Sequence, residues 1–320
     1  MNSLKGTLFA LLGYGAYSVH DVFVKLLGES YSSLQIMFFG VLFTFPLFSF
    51  LLIGVPTAGS LRPHHWWWTV TRTSSIILGS LCIFYAFSVL PLTQTYAILF
   101  SMPLVITMLA VPILGERVGI HRAAAVLVGL IGVMIVVQPG ASELSWGHAA
   151  ALAGVAFSSL GAVIVRRIGR DESNLVLLLM PLLASFVVLG LLLPLTYQPM
   201  PLKDLIGVAV LSLFGFIGLN CLLVAYKASA ATAIAPMQYS QIIWATLFGI
   251  AIFNETVELH TFVGTSFIIL SGIVIIIRES LEGNSSSKPV QRTRGRVAGT
   301  VLRIGPLLKA RRRKGKGKTD

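Results

Sequence analysis

Charge of either sign is scarce in this sequence. Asp, Glu, Lys and Arg together make up 11% of its 320 residues, while hydrophobic residues make up 55%. Soluble domains carry about 25% charged residues, so the composition argues against an ordinary water-soluble core. Cysteine is nearly absent, and Cys82 and Cys221 both sit inside apolar runs. Two such residues build neither a disulfide framework nor a metal site; they read as small buried hydrophobes. No Gly-rich phosphate loop and no dinucleotide fingerprint occurs. ATP hydrolysis by this chain has no motif behind it, and no cofactor is expected. Alternation of apolar and polar residues is missing too, since blocks such as 126–137 are apolar on every side. That excludes the strands of a membrane barrel. A cleavable leader is not expected, because the apolar run after Lys5 continues to Leu27 and the next begins at once.

What the chain has instead is long apolar runs. Ten can be drawn, at 4–27, 34–55, 67–89, 92–114, 120–138, 146–168, 174–194, 205–226, 231–253 and 259–278. About twenty apolar residues is the length a helix needs to cross a hydrocarbon layer of about 30 Å. In lipid the backbone must satisfy its own hydrogen bonds, so these runs are read as helices. Trp66, Trp67 and Trp68 mark a headgroup interface. With the N-terminus in the cytoplasm, the inner side receives Lys5, Arg62, Arg72, Arg117, Arg122, Arg166, Arg167, Arg170, Lys227 and Arg278. The outer side receives only Lys25 and Lys203. This bias predicts a multi-pass inner-membrane protein with both termini cytoplasmic.

The two halves repeat each other. At an offset of 139, Thr93 matches Thr232, Ser101 matches Ser240, Glu116 matches Glu255 and His121 matches His260. Near the start of each half the offset is 141, pairing Gly13 with Gly154, Ser18 with Ser159, Lys25 with Arg166 and Gly28 with Gly169. A unit of five spans is odd, so the second copy enters the membrane from the opposite side. The expected fold is all-α: ten transmembrane helices as two inverted five-helix repeats, 1–139 and 140–280, followed by a basic tail, 281–320. Inverted repeats place a solute site near mid-membrane between the halves.

The fourth run of each half ends in similar text, Ile113-Leu114-Gly115-Glu116-Arg117-Val118 and Ile252-Phe253-Asn254-Glu255-Thr256-Val257, and the eighth run carries Val224-Ala225-Tyr226-Lys227. With the two copies, these residues make the chain resemble the EamA-type branch of the drug/metabolite transporter superfamily over about 4–280. The resemblance implies a central cavity lined by the first, third and fourth helices of each half, and a small metabolite as cargo. Asn254 departs from the usual Gly of the Gly-Glu pair.

Polar groups inside apolar helices are costly, and they mark cavities or partners. In the first run Tyr14, Tyr17, Ser18, Asp21 and Lys25 share one face, with His20 beside them. Asp21 either pairs with Lys25 one turn later or, with His20, binds a substrate amine or a coupling proton. The matching stripe in the sixth run is Ala150, Gly154, Ser158 and Ala162, small residues suited to close helix packing. Further solute-binding candidates are Gln94, Tyr96 and Ser101 in the fourth run, Asn220 in the eighth, and Gln238, Tyr239, Gln241 and Trp244 in the ninth. Pro103 and Pro236 interrupt the backbone ladders of those runs. Arg72 either neutralises a carboxylate or phosphate or snorkels to the inner surface. Repetition of Glu116 and Glu255 points to a shared structural task.

Residues 279–320 hold 12 Lys or Arg against 3 Asp or Glu, which predicts a disordered segment tethered to anionic lipid and not a nucleic-acid binder. The expected function is secondary transport of a small polar metabolite, amino-acid-, vitamin- or nucleoside-like, by alternating access. Proton coupling or exchange would drive it. A membrane-embedded enzyme on a lipid-linked substrate is the rival, and would need convergent His, Asp and Glu groups at one depth. A non-transporting scaffold built around the tail is the other.

Overall fold

The computed structural model describes residues 3–52, 62–116, 119–138, 145–169, 171–228 and 234–282. Every regular element among them is helical. In chain order they are α1 (Ser3–Gly28), α2 (Ser33–Leu52), α3 (Trp66–Val89), α4 (Leu92–Leu99), α5 (Met102–Leu114), α6 (Ile120–Val137), α7 (Trp146–Ile168), α8 (Asn174–Leu192), α9 (Leu202–Ala228), α10 (Gln241–Phe253) and α11 (Leu259–Glu282). Short 3-10 turns occupy Leu193–Leu195 and Ala235–Ser240. From residue 283 onward the basic tail lies outside the described residues.

Six segments are long and apolar enough to cross a membrane: Lys5–Gly28, Trp66–Val89, Leu92–Leu114, Trp146–Ile168, Leu202–Tyr226 and Leu259–Ile277. Shorter apolar helices cover Ser33–Leu47, Ala123–Val137 and Leu179–Leu195. The outward surface is itself apolar: Leu12, Leu127, Leu191, Ile243, Phe262 and Leu270 are each more than half exposed. A bundle that presents such a surface is built for lipid, because water would not tolerate so continuous an apolar exterior.

Three packings dominate: α1 on α9, α3 on α7, and α6 on α11. Exchanging the first half for the second turns the first pair into the second and leaves the third unchanged. Glycines set two of these crossings. A methyl group on Gly13 would stand 3.1 Å from the Gly218 carbonyl oxygen, and one on Gly154 would stand 3.3 Å from that of Gly79. Gly13 and Gly154 are 141 residues apart, Gly79 and Gly218 are 139 apart, so the crossings are repeat equivalents. Close backbone approach at small residues is what drives helix association in lipid, where burial of apolar surface offers no net gain.

The run at 92–114 is not one helix. It breaks at Phe100 and Ser101, where the Ser101 N–H turns back to Ile98 O at 3.0 Å. Pro103 lacks the N–H that would have bonded Leu99 O, so the ladder stops there. The corresponding region of the second half is the 3-10 turn with Pro236, after which α10 begins. Both broken segments end in a left-handed residue, Gly115 at φ 69° and Asn254 at φ 53°. Asn reaches this conformation with the least strain after Gly, which explains the departure from Gly-Glu in the second copy.

Connections at one end are pinned by polar pairs. The Gln35 side chain donates to Gln198 O at 2.7 Å and accepts from the Gln198 N–H at 2.9 Å. The Tyr31 hydroxyl donates to Asp204 at 2.6 Å, and this bond pushes the phenol's titration above its ordinary value.

Candidate functional site

Asp21 is the centre of a polar network inside the bundle. It sits two turns before the end of α1, where His20 Nδ1 lies 2.7 Å from Asp21 Oδ1. The Tyr96 hydroxyl, from the second turn of α4, donates to Asp21 Oδ2. Gln241, the first residue of α10, donates from Nε2 to the same hydroxyl oxygen at 3.3 Å. Ser18 Oγ lies 3.4 Å from it while donating to Tyr14 O at 3.0 Å. One carboxylate thus gathers side chains from α1, α4 and α10, the last belonging to the second half. The Asp21 side chain keeps only 14% of its exposure and His20 keeps 17%. Burying a carboxylate costs several kcal/mol unless donors replace its water, and Tyr96 and His20 supply those donors.

Aromatic rings surround the network. Phe87 meets Tyr96 edge-on at 5.3 Å, Phe100 lies 6.1 Å beyond, and Tyr239 meets Phe100 at 5.1 Å. His20 packs edge-on against Phe84 at 5.8 Å. Trp244 lies against Gly15, where a methyl would be 3.3 Å from its ring, and stacks on Phe248.

The sequence candidates divide. Asp21, His20, Tyr96 and Gln241 come together. Tyr17 shares the Asp21 helix one turn earlier and packs against Gly218. Tyr14 is instead packed with Leu222 and Ile234, in a cluster that Tyr226 also joins. Gln94 points elsewhere, to His148 Nε2 at 3.0 Å. Ser101 donates to Ile98 O at 2.6 Å and so caps the helix break. Asn220 donates back along its own helix to Phe216 O at 2.8 Å. Tyr239 is buried, its hydroxyl without a partner among the described residues, in the space left by Gly272. Gln238 is half-buried in the 3-10 turn.

The pairing of Asp21 with Lys25 does not form. Lys25 Nζ lies 2.9 Å from Glu255 Oε1, donates to Leu90 O at 2.5 Å and stands 5.1 Å from the Phe253 ring centroid. Glu255 Oε2 accepts the Leu92 N–H at 2.9 Å and so caps α4 from the other half. Arg166 pairs with Glu116 in the same way. The shared task of the two glutamates is therefore to tie one half to the other. Sequence reasoning had matched Lys25 with Arg166 and Glu116 with Glu255, and joining those two matches would have found both bridges.

A many-helix membrane bundle with a hydrogen-bonded carboxylate between its halves is the construction of a carrier. The EamA-like transporter family model matches this chain twice, over 4–138 and 145–278, and the chain belongs to that family. It is a transporter-family protein and not an enzyme. A protein of Rickettsia bellii (strain RML369-C) named S-adenosylmethionine uptake transporter is 29% identical over 84% of this chain and 92% of its own length. A protein of Rhizobium johnstonii named riboflavin transporter is 30% identical over 44% of this chain and 47% of its own length. A chain in a solved crystal structure is similar in fold, with a TM-score of 0.56 at 18% identity, covering 86% of this chain and 98% of that one.

Proposed function

We propose that this chain is a ten-span secondary transporter of two inverted five-helix repeats, set in the inner membrane with both termini cytoplasmic. It moves a small polar metabolite by alternating access. The observation that carries the reading is the Asp21 carboxylate, held by His20 and Tyr96 and tied through Tyr96 to Gln241 of the other half. A buried carboxylate at the seam of two repeats has two uses in a carrier. It attracts a cationic group on the solute, or it holds a coupling proton. Either event breaks or remakes bonds that link the halves, which is how occupancy would bias their rocking.

The solute we favour is a nucleoside carrying a cationic centre and an amino-acid end, as S-adenosylmethionine does. Support comes from the names of the full-length relatives and from the chemistry of the site. A carboxylate with aromatic faces on α4 and α10 attracts a cation and stacks on a heterocycle. The paired bridges Lys25–Glu255 and Arg166–Glu116 fit the two ends of an inverted pair, one at each membrane face.

The test is uptake and counterflow in proteoliposomes, using S-adenosylmethionine, riboflavin and an amino-acid panel, with and without a pH gradient. Saturable flux of one panel member, lost in Asp21→Asn, supports the reading. Absence of saturable flux for every member overturns the transport assignment to these solutes. Unchanged flux and pH response in Asp21→Asn removes Asp21 from the mechanism.

A further inference from the structure

Three buried donors on one face of α3 have no partner among the described residues. They are Thr69 Oγ1, Arg72 Nε and Thr73 Oγ1, each shielded from solvent and without a hydrogen bond to any described residue. Their spacing of three and four residues places them side by side along the helix. Thr69 and Thr73 are 3% and 9% exposed. A Thr hydroxyl in a helix ordinarily donates to the carbonyl four residues back. Two neighbours on this helix do so, Thr71 to Trp67 O at 2.8 Å and Ser75 to Thr71 O at 2.7 Å. Thr69 and Thr73 do not. Arg72 spends one arm on Leu177 O at 2.9 Å, and among the described residues no Asp or Glu lies within 4.0 Å of it. Glu172, just before α8, is taken by the His65 N–H at 2.6 Å.

The repeat supplies an internal control. The equivalents in the second half, 139 residues on, are Val208, Leu211 and Ser212 on α9. Val208 and Leu211 are packed with Leu27 and Ile36 in an apolar cluster. The Ser212 hydroxyl sits between Val208 O at 2.9 Å and Gly40 O at 3.1 Å. The same face of the same helix is therefore closed and satisfied in one half, and cationic with open donors in the other. Packing alone does not require Thr69, Arg72 and Thr73, since the second half manages without them.

We propose that this face of α3 is a binding site for an oxyanion, a phosphate or phosphodiester group. Buried orphan donors call for an occupant, and two hydroxyls flanking a guanidinium match the acceptor oxygens and charge of such a group. The depth fits. Arg72 stands about 9 Å along the axis from Trp66, at 1.5 Å per residue. Trp66 and Trp67 are 60% and 80% exposed, as interfacial tryptophans are. Arg167 adds positive charge nearby, over the Trp68 ring at 4.6 Å. Phe84, at the level of His20, is twelve residues from Arg72, about 18 Å along the helix. The site is thus separate from Asp21, and the proposal does not depend on which solute the transporter carries.

Thermal unfolding of the purified full chain tests this in two arms. In detergent, inorganic phosphate is compared with chloride at matched ionic strength. In phosphatidylcholine vesicles, the protein is compared with and without phosphatidylglycerol. Wild type is expected to be stabilised in at least one arm. A response to phosphatidylglycerol alone assigns the group to a lipid headgroup; a response to phosphate alone assigns it to a soluble anion. Thr69→Val/Thr73→Val should weaken the response about tenfold, by removing two hydrogen bonds to charge. Thr69→Ser/Thr73→Ser, which keeps both hydroxyls, should retain it, and Arg72→Gln should lose it. No response of the wild type in either arm overturns the proposal. So does a response of equal strength in the valine or glutamine variants.

Discussion

The two halves of this protein agree in their joints and disagree in their chemistry. Gly13 on Gly218 is matched by Gly154 on Gly79, Lys25 with Glu255 by Arg166 with Glu116, and left-handed Gly115 by left-handed Asn254. Three polar groups central to the two sites do not repeat. Asp21 has Ala162 as its equivalent, Tyr96 has Ala235, and Arg72 has Leu211. A duplicated scaffold needs each crossing and bridge twice to keep its two ends alike. A solute with distinct ends needs each recognition group once.

The largest effect expected from breaking this comparison is at Asp21. Asp21→Asn keeps the shape but removes the charge that Tyr96 and His20 address. Solute flux in proteoliposomes should fall about a thousandfold, which corresponds to about 4 kcal/mol in the transport barrier. Ala162→Ser, at the equivalent position, should leave flux unchanged. Comparable losses from both would mean that the site is duplicated after all.

Next come the bridges. Lys25→Glu sets two carboxylates against each other beside a helix end, where the native pair is only 12% and 10% exposed. Stability to denaturant should fall by about 3 kcal/mol, near the lower figure for breaking a buried pair. Lys25→Glu/Glu255→Lys should recover about half of that, since the Leu92 N–H loses its acceptor in the swap. Arg166→Glu should likewise be rescued by Glu116→Arg at the other bridge, where no backbone N–H among the described residues depends on the glutamate. Rescue on one side only would show that one bridge is incidental.

The joints were legible in the sequence and the partners were not. Glycines and charges at fixed offsets gave the repeat, because close crossings and helix ends tolerate few residue types. Pro103 and Pro236 flagged the interrupted fourth and ninth runs, though the first break falls at Phe100 and Ser101, slightly earlier than the proline itself. Of the two readings left open for Asp21, the pairing with Lys25 does not form, since helical spacing reports only neighbours one turn away and Glu255, the actual partner of Lys25, is 230 residues distant. Gln94 and Tyr96 show the reverse. Residues two apart point about 200° apart on a helix, so both could not have faced one site, and the spacing alone said so.

The glycine crossings sharpen the comparison further. Gly13→Val and Gly154→Val each force a branched side chain into backbone, and overpacking of this kind costs about 2 kcal/mol. The two losses, measured by thermal unfolding in detergent, should agree to within about 0.5 kcal/mol if the crossings are equivalent.

The smallest effect concerns the left-handed residues, and it separates conformation from packing. Nothing lies within 4 Å of where a Gly115 side chain would begin, so Gly115→Ala meets no obstacle. Its whole cost is the left-handed backbone, about 1 kcal/mol for a residue with a Cβ. Asn254 already bears a Cβ and offsets the strain with its short polar side chain. Asn254→Gly should therefore gain a few tenths of a kcal/mol, and Asn254→Ala should lose about 0.5 kcal/mol. Denaturant titration of the three variants orders them. If Gly115→Ala proved harmless, the left-handed turn would not be what ends the first broken helix, and the match between the two Glu-bearing corners would rest on the ion pairs alone.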